Sequence, residues 1–322
     1  MIVILSNLAD VSTDLVEEHF IYNKINYARL NAEDIFDPSF KLDFDNEVIK
    51  TARNIIKIDS VNVVWYRKFG FLSKNSFYQE LKEEFEAELV NHLVYEHYEL
   101  LEAIIDLFSN KKWLTNPKHT RLNKLTILKQ AEKTGLKIPG TYLINSRKNL
   151  KQLISNKKLI TKSVFETLFF NKDKHNFSMF TKEITMKNLS EVPNVFFPSL
   201  VQEKIEKDFE VRVFILRENC FSMAIFSQSN GGTATDFRDI NWENPIRFTP
   251  FNLPKSIEIK LLKLVSSIGL NCCSIDLIKT KDEYYFLEIN SVGEFGMVSF
   301  PCNYDIHYYI YKTLKEMDED EK

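Results

Sequence analysis

Glycine is scarce in this chain: 8 of 322 residues, where average usage of about 7% would give roughly 22. None of them falls in G-x-G-x-x-G or G-x-x-x-x-G-K-[ST], which excludes the dinucleotide fingerprint and the phosphate loop. A bound nucleotide would have to be held by side-chain cations and the edge of a strand. Cysteine is just as sparse. Cys220, Cys272, Cys273 and Cys302 contain no C-x-x-C, and the six histidines contain no H-E-x-x-H. Neither a tetrahedral zinc site nor a disulfide framework is expected, and reduced cytosolic thiols fit. No run of about 18 apolar residues occurs. The N-terminus enters a strand pattern with no basic stretch or small-residue cleavage site, so no membrane contact and a cytoplasmic location are expected. Charge of one sign is lacking as well: 42 basic residues face 45 acidic ones, for a net charge of −3. No global field draws in nucleic acid.

What is present is globular: 44% hydrophobic and 27% charged residues, with length for two or three domains of about 100–200 residues. The order of elements predicts an α/β (α+β) fold. Apolar runs at 2–5, 27–30 and 61–66 read as strands, with a helix between the first two that opens on a capping box, Asp14 with Glu17. The third run ends at Arg67 and Lys68, and parallel strands present functional side chains at their carboxyl ends. Arg67 is therefore a candidate substrate residue. A single helix is predicted over 78–108, with Leu81, Phe85, Leu89 and Leu93 in one stripe and a strongly acidic opposite face. Asn116-Pro117 marks a boundary. A helix over 122–134 stops at Gly135, and strands follow at 141–144 and 158–162. The segment 165–180 reads as a lid or an irregular hairpin. Later strands are expected at 200–205, 211–216, 221–226, 274–278 and 284–289, with a polar loop over 227–242, a helix over 255–268 and a frayed acidic tail at 315–322.

The chemistry concentrates near the end of the chain. Strand alternation puts Glu288 and Asn290 on one face, and a hairpin returns Asp276 beside them. Two carboxylates and an amide oxygen make a hard oxygen site suited to Mg²⁺. For Asp276 to face Glu288, the hairpin loop should hold an odd number of residues, three or five. Lys124, at the start of a helix, and Lys162, at the end of a strand, are compact charges suited to phosphate oxygens. Gln202-Glu203-Lys204-Ile205 is an extended run whose backbone can pair with a base edge, and Glu210 can accept from a ribose hydroxyl. No ordered Ser, His, Asp arrangement stands out, and His307 reads as an aromatic packing partner.

In this order the residues resemble the ATP-grasp superfamily of carboxylate–amine ligases, and within it the grasp-with-spasm peptide maturases, the graspetide ligases. The blocks that carry the resemblance are Val64-Trp65-Tyr66-Arg67-Lys68, the run from Ile205-Glu206-Lys207 to Glu210-Val211-Arg212, Asp236-Phe237-Arg238, and Phe286-Leu287-Glu288-Ile289-Asn290-Ser291-Val292-Gly293-Glu294. The chain departs from the family pattern at Cys272-Cys273, Ser291 and Glu294, none of them an expected ligand.

The resemblance implies three parts: an N-terminal α/β domain (1–115), a central subdomain with a lid (116–199) and a C-terminal antiparallel-sheet subdomain with the metal site (200–322). It implies ATP and Mg²⁺, with Lys124 and Lys162 on phosphates, the hinge and Glu210 on the nucleoside, and Asp276, Glu288 and Asn290 on the metal. Arg212 would face the transferred phosphoryl group and Arg238 would clamp a substrate carboxylate. The implied reaction activates Asp or Glu side chains of a ribosomal precursor peptide and joins them to Ser or Thr hydroxyls or Lys amines. A radical SAM/SPASM maturase in the same pathway is a further implied partner, and self-association is compatible with the resemblance. The same nucleotide residues would also serve a ligase that adds a free amino acid or amine to a peptide. They would equally serve a non-catalytic peptide-binding module that keeps ATP as a structural ligand. These readings stay open at this point.

Overall fold

The computed structural model describes residues 1–320 except 71, 73–74, 166–168, 173–174 and 228–245, and gives the backbone alone at 169–172 and 175–178. The chain divides into two units: residues 1–121, 269–272 and 304–322 form one, and residues 122–268 and 273–303 form the other.

The first unit opens with β1 (Ile2–Ser6), α1 (Val11–Tyr22), β2 (Tyr27–Asn31), a small antiparallel sheet of β3 (Lys41–Asp43), β4 (Val48–Lys50) and β5 (Ile55–Lys57), then β6 (Val63–Tyr66). After these come α2 (Ser76–Glu84), α3 (Ala87–Leu107) and β7 (Lys112–Leu114), which completes a parallel sheet in the order β2-β1-β6-β7. Its inner strands are unbroken apolar runs, with Ile2 to Leu5 and Val63 to Trp65 buried, as a sheet covered on both faces requires.

Two expectations fail in the N-terminal part of this unit. Helix α1 begins at Val11, three residues before the supposed cap. Asp14 and Glu17 lie inside the helix, and their carboxylates instead take the Arg29 guanidinium, Asp14 at 2.6 Å. A spacing of three residues puts two side chains on one helical face as readily as it forms a capping box. The single helix over 78–108 is really two, broken at Phe85 and Glu86, both of which have extended backbone. Glu80, Glu84 and Glu88 would repel one another at four-residue spacing in a continuous helix. The buried face of α3 is Val90, His97, Leu101 and Ile104, whereas Phe85 and Leu89 are 42% and 43% exposed.

The second unit runs α4 (Lys124–Lys133), β8 (Thr141–Ser146), α5 (Arg147–Ile154), β9 (Leu159–Lys162), β10 (Phe169–Lys172), β11 (His175–Ser178), β12 (Lys182–Ile184) and β13 (Val195–Glu203). It continues with β14 (Phe209–Leu216), β15 (Asn219–Phe226), β16 (Arg247–Pro250), α6 (Lys255–Ser267), β17 (Cys272–Lys279), β18 (Tyr284–Asn290) and α7 (Gly296–Cys302). One sheet has the order β12-β9-β13-β8 and a second the order β16-β15-β14-β17-β18. Of the two readings for 165–180, the described backbone is a hairpin: β10 and β11 pair antiparallel, Phe169 opposite Ser178. The 227–242 loop lies outside the described residues apart from Ser227. The chain then returns to the first unit as α8 (Ile306–Glu319). The tail is therefore helical to Glu319 and not frayed there, because Leu314 and Met317 are buried and Asp318 accepts from the Asn62 amide at 2.9 Å.

Candidate functional site

All described site residues expected from the sequence, Arg67 excepted, belong to the second unit. The hairpin β17–β18 pairs Asp276 with Glu288 and Ser274 with Asn290, which puts the three oxygen-bearing side chains along one face. The route to that register differs from expectation. Four residues, an even number, separate the paired Lys279 and Tyr284, and a regular ladder would then set Leu287 opposite Asp276. A bulge between the Asp276 and Leu277 pairs absorbs one residue of β18 and moves Glu288 into place. Bulges commonly re-aim a side chain in this way. The outer edge of β18 is held here by the segment after α4, where the Phe286 amide donates to the Lys137 carbonyl at 2.8 Å.

Two cations stand over this face. Lys124 opens α4, whose cap Asn123 accepts from the amides of Leu125 and Thr126. Its ammonium lies 3.4 Å from Glu288 Oε2. On β14, the neighbour of β17, Arg212 is 7% exposed and places Nε 3.7 Å from Asp276 Oδ1, too long for a hydrogen bond. Its Nη1 donates to Met297 Sδ at 3.0 Å, and Nε is buried with no hydrogen-bond partner. The Asn290 side-chain oxygen accepts from the amides of Val292 and Gly293 at 3.3 Å each, so a tight turn fixes it. Gly293 sits at φ +72°, and a Cβ there would meet Phe214 at 2.9 Å.

The remaining residues line a neighbouring pocket, a small cavity of about 80 Å³. Lys162, Gln202, Glu203, Lys204, Ile205 and Glu210 all contribute to it. Sequence reasoning missed the rest of the lining: Pro139, Ile160, Thr181, Lys207, Ile278 and Leu287. The apolar members come from both sheets, as a flat aromatic ligand would need. Alternation on β9 is the sequence signal that could have found Ile160; the bulge at Leu287 left none. Lys207 forms an ion pair with Glu210, and both side chains are at least nine-tenths buried.

The hinge backbone is less available than its sequence implied. The Glu203 amide donates to the Gly140 carbonyl and the Lys204 amide to the Lys158 carbonyl, both at 2.8 Å. Their side chains are engaged too, Glu203 with Lys157 at 2.9 Å and Lys204 with Glu183 at 2.6 Å. A bound base would therefore have to be read by Ile205, just past the strand, and by Gln202. Gln202 is 1% exposed; its amide nitrogen donates to Thr141 Oγ1 at 2.9 Å, while its oxygen is buried with no hydrogen-bond partner. A buried orphan acceptor is costly, about 1–3 kcal/mol, unless a ligand supplies the donor. Gln202, whose Oε1 is an orphan acceptor, is part of the pocket lining, and Arg212 Nε is an orphan donor beside the carboxylates. Such a pair fits a ligand with a donating base at one end and anionic oxygens at the other.

Two expected residues stand apart. Arg238 lies outside the described residues. Arg67, in the first unit, is 1% exposed and donates from Nε to Asp10 Oδ2 at 3.1 Å. Asp10 also accepts from Thr13 at 2.8 Å and Ser6 at 3.3 Å. Burial alone would raise the Asp10 pKa; the Arg67 charge and the hydrogen bonds outweigh it and hold the carboxyl below its ordinary value.

Residues 121–314 match the RimK-like ATP-grasp domain. No curated protein matches the chain. Among solved structures, a RiPP-associated ATP-grasp ligase of Chryseobacterium gregarium, in complex with ADP and a leader and core peptide, is 26% identical with a TM-score of 0.83, over 100% of this chain and 97% of that one. The macrocyclase MdnC of Microcystis aeruginosa MRC, bound with precursor peptide MdnA, is also 26% identical, with a TM-score of 0.82 over 98% of this chain and 100% of its own. A D-alanine–D-alanine ligase of Bacillus anthracis shares the fold at 12% identity, with a TM-score of 0.51 over 99% of this chain and 95% of its own.

Proposed function

The chain belongs to the RimK-like ATP-grasp family, and on that premise we propose that it is an ADP-forming peptide ligase, a macrocyclase that links side chains of a ribosomally made precursor peptide. The observation that carries the reading is the bulge-set convergence of Asp276 and Glu288 beneath Lys124 and Arg212, beside a pocket lined by Gln202, whose side-chain oxygen has no hydrogen-bond partner. The peptide as substrate is supported by the two structures of 26% identity, which hold a leader and core peptide and a precursor peptide.

In this reading Gln202 and Ile205 read the adenine edge, Ile160, Ile278 and Leu287 enclose its faces, and Glu210 accepts from the ribose. Lys124 and Lys162 bind phosphate oxygens. Asp276, Glu288 and Asn290 would hold Mg²⁺, which when bound would supply positive charge to neutralise the phosphates. A carboxylate oxygen of a peptide Asp or Glu attacks the γ-phosphorus; the bond to the β-phosphate oxygen breaks and ADP leaves. Arg212 donates to the group in transfer, and Arg238 clamps the attacking carboxylate bidentately. A Ser or Thr hydroxyl or a Lys amine of the same peptide then attacks the acyl carbon, phosphate departs, and the attacker's proton passes to phosphate or solvent. No side-chain nucleophile is required, because positioning and charge neutralisation carry phosphoryl transfer.

The precursor peptide is the partner proposed here; a radical SAM/SPASM maturase acting on the same peptide rests on the resemblance alone. No helix among the described residues is long and apolar enough to cross a membrane, and we place the reaction in the cytoplasm, where ATP and reducing conditions coincide. The test is mass spectrometry of a candidate precursor incubated with enzyme, ATP and Mg²⁺. Cyclisation removes one water per link with matching ADP. Gain of an amino-acid mass would replace the proposal with the amino-acid ligase, and an unchanged peptide without ADP would leave only a binding module.

A further inference from the structure

We propose that His19, Asp305 and His307 form a second cation site in the first unit, one that takes a divalent transition metal of the zinc type. His19 lies near the end of α1; Asp305 and His307 lie at the start of α8. One ligand atom from each residue lies within 4.8 Å of the other two. His307 Nε2 and Asp305 Oδ1 are already 2.9 Å apart, and the two imidazole rings are 5.3 Å apart between centroids.

Three features make this more than a chance cluster. Asp305 has left-handed backbone, φ 52°, which Asp tolerates better than most residues, and that turn folds its carboxylate back over a residue two positions ahead. The His19 ring is fenced by Tyr311, stacked at 5.5 Å, and by Tyr308, edge-on at 5.6 Å, so its position is set before any ligand arrives. His307 has Nδ1 buried without a hydrogen-bond partner. Aromatic packing alone accounts for the rings. It gives no reason for two imidazoles and a carboxylate to converge.

The donor set selects the ion. Two imidazole nitrogens and one carboxylate oxygen suit Zn²⁺ and its neighbours, whereas Mg²⁺ and Ca²⁺ prefer all-oxygen shells such as that of Asp276, Glu288 and Asn290. Tetrahedral coordination at about 2.0–2.1 Å sets ligand atoms about 3.3 Å apart. From 4.8 Å or less, the ligand atoms would draw together by at most about 1.5 Å. Water would complete the shell. The bound ion would clip the C-terminal helix to α1, and its role would be structural.

The experiment uses the untagged full-length chain, stripped with chelator and held in excess Mg²⁺ so that the oxygen-rich site is occupied. Zinc titration by calorimetry should give one ion per chain with a raised melting temperature, and Co²⁺ should show the visible bands of nitrogen ligation. His19→Gln and His307→Gln should each weaken zinc binding at least about tenfold while ATP turnover with Mg²⁺ alone stays unchanged. Asp305→Ala, with circular dichroism to verify folding, serves as an independent variant. Binding that survives both histidine substitutions, binding lost only on Asp276→Asn, one ion per two chains with doubled mass, or no binding at all would overturn the site.

Discussion

Replacing Gln202 by leucine should change stability and nucleotide affinity in different ways. In the free protein the substitution removes a hydrogen bond to Thr141 Oγ1, worth about 1 kcal/mol. It also removes a buried oxygen without a partner, whose desolvation costs about 1–3 kcal/mol. Thr141 keeps its own donor bond to the Pro139 carbonyl at 2.8 Å. The two changes offset each other, so the free variant should melt at the same temperature or higher. In the proposed nucleotide complex the wild-type oxygen accepts from the adenine amino group, and losing that bond should weaken ATP by about 1 kcal/mol, roughly fivefold. Inosine triphosphate carries an acceptor where adenine carries the amino group, so wild type should prefer ATP and the leucine variant should lose at least about fivefold of that preference. Thermal melting of the free proteins and calorimetric titration with both nucleotides measure this. A variant that melts lower yet keeps the full ATP preference would show that the oxygen is structural and does not read the base.

Asp276→Asn and Glu288→Gln should each lower peptide-dependent ADP release by about 100-fold or more with circular dichroism unchanged; near-normal release from either would remove that residue from the metal shell. Gly293→Ala forces a side chain into φ +72° against Phe214, costing roughly 1–2 kcal/mol for the backbone alone, and should both lower the melting temperature and weaken Mg²⁺, because the same turn fixes Asn290. A melting temperature within error of wild type would refute the strain. Asp10→Asn leaves Arg67 buried beside a neutral partner and should cost about 3–5 kcal/mol, read by urea unfolding. Because the folded pKa of Asp10 lies below its unfolded value, its contribution is present above about pH 4 and is lost as pH falls through the folded value. The variant should therefore show a flatter acid limb than wild type; parallel limbs would contradict the assigned shift.

Much of the second unit could be read from the sequence because its signals are local. The helix after Asn123, the strands around Lys162 and Gln202, and the shared face of Glu288 and Asn290 follow from capping residues, apolar runs and alternation. The loop-parity rule failed where a bulge intervened, and nothing in Phe286-Leu287-Glu288 marks one; the contact beside it, from the Phe286 amide to the Lys137 carbonyl, comes from far away in sequence. The hinge was read as open backbone because the bonds from Gly140 and Lys158 are tertiary. In the first unit Asp14 and Glu17 show the same limit: a three-residue spacing is shared by a cap and by a helix face, and only the position of Arg29 decides. The break at Phe85 left a compositional trace in its glutamates, but a four-residue apolar stripe concealed it. Small packing contributors such as Ile278 and Leu287 acquire a role only when two sheets meet.

The central claim is that ATP activates a peptide carboxylate by phosphoryl transfer. It is tested most directly with a precursor peptide carrying heavy oxygen in its Asp and Glu side chains, treated with enzyme, ATP and Mg²⁺, and followed by mass analysis of the phosphate released. One labelled oxygen should appear in phosphate for every link formed, with none in Asp276→Asn reactions. Phosphate that stays unlabelled while the peptide still cyclises, or labelled water in its place, would contradict the account.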